Sequence, residues 1–175
     1  MFTKNEKVAG LLFIVGGIVY LWSDGVGVHY GSTNLVNLGL VLLGVLMIAG
    51  AYFMQVAYKS VPLTVFVVLA AIGSIAIAFL PFGGTAYYAF ADLGYVFFGL
   101  SAIMSYKIAK SPLNYLFIIL GVLTLLGLLL WVSGIDFGSG VKASPTVIDY
   151  IALPWLITFG ASIVREQPTD ASAKA

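Results

Sequence analysis

Apolar runs, each near the length of a bilayer crossing, alternate along the chain with short breaks that are polar, glycine-rich or marked by proline. The runs fall at about 7–22, 34–58, 62–80, 86–106, 112–132 and 147–164, and a helix needs about 20 predominantly apolar residues to cross the hydrocarbon. Each break has a local cause. Ser23-Asp24-Gly25-Val26-Gly27 is too polar and glycine-rich to stay in lipid and predicts a bend after the first run. Ser32 and Thr33 are placed to cap the second helix. Pro62 and Pro112 stand at the starts of the third and fifth, where a missing N–H costs nothing. Pro81-Phe82-Gly83-Gly84 predicts a tight reversal. The longest polar connection is 133–146, and the polar segment 165–175 is poor in large apolar residues. The expectation is an all-α polytopic membrane bundle of six transmembrane helices over 1–164, followed by a polar tail over 165–175.

Composition sharpens this picture. The 175 residues are 61% hydrophobic and 9% charged, against about 25% charged in soluble domains, and the mean hydropathy is +1.08. An ordinary water-soluble protein is excluded. With no Cys and one His, disulfides, thiolate-held metals and two-histidine metal or haem sites within the chain are excluded as well. A net charge of +1 lacks the basic surface that nucleic acid requires.

Lys4 and Lys7 ahead of the first apolar run give the N-terminus the look of a signal peptide. No small-x-small cleavage site follows Trp22, so an uncleaved signal anchor is expected. Lys and Arg collect on the cytoplasmic side of membrane proteins. With six spans, Lys4, Lys7, Lys59, Lys107, Lys110, Arg165 and Lys174 fall on one side and only Lys142 on the other. This predicts cytoplasmic N- and C-termini in the cell membrane. Tyr20, Trp22, Tyr87, Tyr88, Trp131 and Tyr150 then lie at the outer boundary, and Tyr52, Tyr58, Tyr106 and Tyr115 at the inner one, as interfacial aromatics do.

Self-comparison exposes a repeat. The second span opens Asn37-Leu38-Gly39-Leu40-Val41-Leu42-Leu43-Gly44 and the fourth Asp92-Leu93-Gly94-Tyr95-Val96-Phe97-Phe98-Gly99. The hairpins that follow also match, Lys59-Ser60-Val61-Pro62-Leu63 against Lys110-Ser111-Pro112-Leu113. Both helices run from outside to inside, so the repeat is parallel and its pseudo-axis lies along the membrane normal. Asp149-Tyr150-Ile151 opens a degenerate third copy. The glycines, and the stripe Ala70, Ser74, Ala78 on the third span, allow close helix approach where lipid provides no hydrophobic drive for association.

Candidate chemistry centres on Asp92, about seven residues or on the order of 10 Å by helix rise inside the outer end of the fourth span. Intramembrane ionisable residues are rare, face the bundle interior and are functional candidates by default. Tyr88, Asp92, Tyr95 and Gly99 share one helix face, which sets two phenols beside the carboxyl. The repeat places Asn37 at the same depth, with Asn34 one turn above it and Asp149 at a third such position. Together with Asp24, His29, Tyr30 and Asp136 these residues outline a polar funnel on the outer side for a lipid or small-molecule ligand. Three roles stay open for Asp92: a hydrogen bond that fixes helix register, a ligand or ion site, or a proton relay. Gln55 and Asn114 read as ordinary interfacial residues, and Gly25-Val26-Gly27 as a bend outside any dinucleotide-binding context. No HExxH, GxSxG, phosphate loop or His–carboxylate pair is present, so neither enzymatic activity nor a cofactor nor a metal is expected.

The glycine-rich outer segment with Tyr30-Gly31-Ser32, the opening Asn37-Leu38-Gly39, the end Leu80-Pro81-Phe82 and the end Ser105-Tyr106-Lys107 resemble the uncharacterised prokaryotic membrane family called domain of unknown function 998. The resemblance covers most of the six spans. That family commonly carries a His after the turn that follows its third span, where this chain has Thr85-Ala86-Tyr87-Tyr88. The resemblance implies a fold, and no activity or catalytic residue. Two functional expectations follow: an accessory subunit bound to other membrane subunits within the lipid bilayer, favoured by the missing catalytic motifs, or a free-standing binding or transport protein working from the outer funnel.

Overall fold

The computed structural model describes residues 4–81, 84–108, 113–134 and 145–165, with the side chains of 145–147 and 149–151 also outside the description. The described residues are helical apart from short turns, with no strand among them. They form α1 (Lys4–Tyr30), α2 (Thr33–Tyr58), α3 (Val61–Ala78), α4 (Thr85–Met104), α5 (Leu113–Ser133) and α6 (Pro145–Arg165), with a short 3-10 turn at Ser105–Lys107 extending α4. The first five are long and apolar enough to cross a membrane. In α6 the apolar stretch described, Ala152–Arg165, is shorter.

Each helix packs on its neighbours in sequence, and α6 packs back on α1, so the six close into a ring of antiparallel neighbours. α4 also touches α6 across the interior. The outer surface carries Leu11, Val15, Ile18, Leu42, Val45, Val65, Ile72, Ile119, Leu126 and Leu129, all exposed. A soluble bundle would turn polar residues outward; here lipid is the fitting solvent.

Small residues make the seams. A Cβ added at Gly160 would lie 2.5 Å from the Gly10 carbonyl oxygen, and one at Gly10 would lie 2.6 Å from that of Gly160. Gly121 and Gly99 meet in the same way across α4 and α5. Ala70, Ser74 and Ala78 are buried, as the stripe on the third span predicts.

The first break differs from its expectation. Ser23 to Gly27 is helical, and α1 continues to Tyr30. The reversal is confined to Gly31 and Ser32, Gly31 taking the left-handed φ of +64°. The segment stays helical because its small residues are a packing surface. Ser23 is buried, its hydroxyl donates to the Tyr20 carbonyl at 2.9 Å, and it lies against Gly39 of α2. Gly27 abuts Val36. Ser32 occupies the N-cap of α2 but makes no side-chain cap bond.

The second turn forms as predicted, with Pro62 in the first turn of α3 and Lys59 at φ 52° closing α2. Gln55 is more than an interfacial residue: the Thr64 hydroxyl donates to its Oε1 at 2.8 Å across the hairpin. Phe82, Gly83, Pro112, most of the connection 133–146 and the tail after Arg165 lie outside the described residues.

Candidate functional site

At the end of the ring where α1, α3 and α5 finish and α2, α4 and α6 begin, the interior opens into a cavity of about 620 Å³. Ligand pockets generally measure about 300–1,000 Å³. Its walls come from helix faces read at three- and four-residue spacing: Tyr20, Asp24, Gly27 and Gly31 on α1 and its turn; Thr33, Asn37, Leu40 and Leu43 on α2; Gly73, Ser74 and Ile77 on α3; Tyr87, Tyr88, Ala91, Gly94, Tyr95 and Phe98 on α4. Trp131 of α5 and Ala152 and Leu153 of α6 complete it. Polar groups gather toward the mouth, and Leu40, Leu43, Phe98 and Leu153 form an apolar floor.

Gly94 is buried, yet a Cβ built on it meets nothing within 4 Å. A buried glycine normally marks a close backbone contact; here the missing side chain leaves space that belongs to the cavity.

Below the floor the ring is filled. Phe13, Met47, Phe117, Trp155 and Phe159 are each at most 1% exposed. Trp155 stacks on Phe159 with centroids 5.7 Å apart, Phe98 meets Trp155 edge-on at 6.0 Å, and Phe117 meets Phe159 edge-on at 5.7 Å. The Trp155 indole donates to the Ser105 hydroxyl at 3.1 Å, and that hydroxyl donates to the Ser101 carbonyl at 2.7 Å. The polar atoms of this layer are thereby satisfied, as a lipid-surrounded core requires. The cavity is blind.

The expected site residues separate into groups. Asn37, Tyr88 and Tyr95 line the cavity, and so does Asp24. Asn34 and His29 are exposed and do not line it; His29 belongs to the last turn of α1, not to a loop. Tyr30 is likewise exposed. The side chain of Asp149 and all of Asp136 lie outside the described residues.

Asp92 stands behind the wall. It is half-buried, does not line the cavity, and accepts a hydrogen bond from Trp131 of α5, whose ring lies 6.1 Å from that of Tyr88. Its Oδ1 is buried without a hydrogen-bond partner. Helix spacing sets two phenols beside this carboxyl; in the structure Tyr88 and Tyr95 line the cavity while Asp92 does not, and the hydrogen bond it accepts comes from an indole of the next helix. Asp92 thus reaches the cavity through Trp131, an arrangement that spacing within one helix does not reveal.

Among the described residues no group of three or more His, Cys, Asp or Glu is placed to hold a metal ion. The closed ring of apolar helices with a blind cavity at one end defines the class: an α-helical membrane-embedded bundle. Compared with protein-family models, curated proteins and solved structures, the chain matches none.

Proposed function

We propose that this chain is a six-span membrane protein that binds a small amphipathic molecule in a cavity open to the extracytoplasmic side. The observation that carries this reading is the cavity itself: about 620 Å³, polar at the mouth, apolar at the floor, and closed beneath by packed aromatics. A bundle that only scaffolds other subunits has no need of such a space. The accessory-subunit reading rests on the missing catalytic motifs alone, and membership of the domain of unknown function 998 family rests on the short motifs already given.

The sixth span is supported by the seat of α6 between α5 and α1. Orientation is supported by charge: Lys4, Lys7, Lys59, Lys107 and Arg165 all stand at the end away from the cavity, the pattern of a cytoplasmic face. The parallel repeat gains support from its glycines. Gly39 faces the preceding helix and Gly44 the following one. In the second copy Gly99 likewise faces the following helix at Gly121 of α5, and Gly73 of the preceding helix faces the Gly94 backbone.

The chain has no native cysteine, so single cysteines report access cleanly. A membrane-impermeant maleimide added to intact cells is expected to modify Asn37→Cys in the cavity and to spare Val67→Cys in the packed layer. Adding Gly94→Leu, which fills the cavity, is expected to slow modification of Asn37→Cys. Modification only after permeabilisation overturns the orientation, and no modification at all overturns the open cavity.

A further inference from the structure

Among the described residues the cavity's charge is one-sided: Asp24 is the only carboxylate that lines it, and no described Lys, Arg or His does. Its carboxyl is half-buried and has no hydrogen-bond or ion-pair partner among the described residues. The helix ends do not balance it: C-termini of α1, α3 and α5 alternate around the mouth with N-termini of α2, α4 and α6, so their macrodipoles largely cancel. A second carboxylate, Asp92, bonds to the far side of Trp131.

The walls are aromatic. Tyr20, Tyr87, Tyr88, Tyr95, Phe98 and Trp131 all border the space, and the faces of such rings attract cations, most strongly alkylated ammonium groups away from water. An anion would meet Asp24 and the negative ring faces. A neutral molecule would leave a half-buried carboxylate uncompensated, which is costly. A bare metal ion needs several oxygen ligands at close range, and one carboxylate with phenols around it does not supply them.

We propose that the cavity binds an organic ammonium ion, its head held by Asp24 and the aromatic walls and its apolar body lying over Leu40, Leu43 and Leu153. The same chemistry is offered by a free amine from the extracytoplasmic side and by a lipid with an ammonium headgroup. This inference rests on the ligand-cavity reading and names the ligand class for it.

The test uses the full chain in phosphatidylglycerol nanodiscs, which contain no ammonium headgroup. Phenethylammonium and benzyltrimethylammonium are titrated against the neutral 2-phenylethanol, with tryptophan fluorescence as the readout. The cations are expected to bind about tenfold or more tightly than the alcohol. Asp24→Asn is expected to remove that preference and Asp24→Glu to retain it, while both elute as folded protein. In nanodiscs containing phosphatidylethanolamine, native mass spectrometry separates the sources: a retained lipid displaced by phenethylammonium and absent from Asp24→Asn assigns the site to the headgroup, and free-cation binding without a retained lipid assigns it to soluble amines. Equal binding of alcohol and cations, or full cation binding by Asp24→Asn, overturns the ammonium assignment and leaves the cavity standing. If neither the cations nor the lipid bind, the ammonium proposal fails. If in addition Asn37→Cys is never modified, the ligand-cavity reading fails with it.

Discussion

From the aromatic layer to the basic end of the ring, Phe13, Met47, Met54, Leu63, Val67, Phe117 and Phe159 are fully buried; between that layer and the opposite end, the helices enclose about 620 Å³ of open space. Both halves belong to the same helices and use the same small residues at their seams. What differs is what the small residues face. Gly10, Gly121 and Gly160 face the backbone of a neighbour, so they bring helices together. Gly94 faces emptiness, so it keeps volume available. A glycine in a membrane helix thus serves cohesion or capacity, and only its surroundings tell which.

Substitutions break or sharpen this contrast. The largest effect is expected at the α1–α6 seam. Gly160→Leu places a side chain against the Gly10 carbonyl, which a flexible neighbour cannot relieve, so folded protein should be lost from size-exclusion profiles after mild extraction. Gly94→Leu, the same exchange in the hollow half, should elute normally with an almost unchanged melting temperature. If the two variants behave alike, the division into packed and hollow halves is wrong.

Trp155→Ala comes next. It empties the middle of the aromatic layer, and large-to-small changes of this kind cost about 3–5 kcal/mol in well-packed cores. Thermal unfolding should show a large drop, and the impermeant maleimide should begin to reach Val67→Cys as the floor opens.

The smallest effect is expected at Asp92. Asp92→Asn keeps an acceptor for the Trp131 indole, so stability should stay within about 1 kcal/mol of wild type. Asp92→Leu removes it and frees Trp131, which should shift the tryptophan emission and weaken phenethylammonium binding. Equal emission and equal binding in both variants would show that Asp92 does not position the cavity wall.

Much of this architecture is legible in the sequence. Apolar run length marks the helices, and Pro62 and the Lys59–Ser60 pair mark a hairpin to within a residue. Asn37, Tyr88 and Tyr95 come from helix spacing and the repeat, and all three line the cavity. The extent of α1 is not visible from polarity. Ser23 and Gly27 look like part of a break because their cost in a lipid-exposed helix is read without the neighbour on α2 that offsets it. The available signal is Ser23 and Gly27 at small-xxx-small spacing, which puts Tyr20 and Asp24 on one helical face. The tie between Asp92 and Trp131 joins positions on different helices, and nothing local encodes it.

The contact between Gly10 and Gly160 has a bearing on biogenesis. The ring is closed by the first helix and the last, so its final seam joins residues nearly a full chain apart and forms only after α6 is delivered to the bilayer. Until then α1 presents a glycine notch to lipid, and the wall that Ala152 and Leu153 provide is missing from the cavity. The site therefore matures only once α6 is in place, and a chain stopped before α6 is an open arc whose exposed notch invites wrong neighbours.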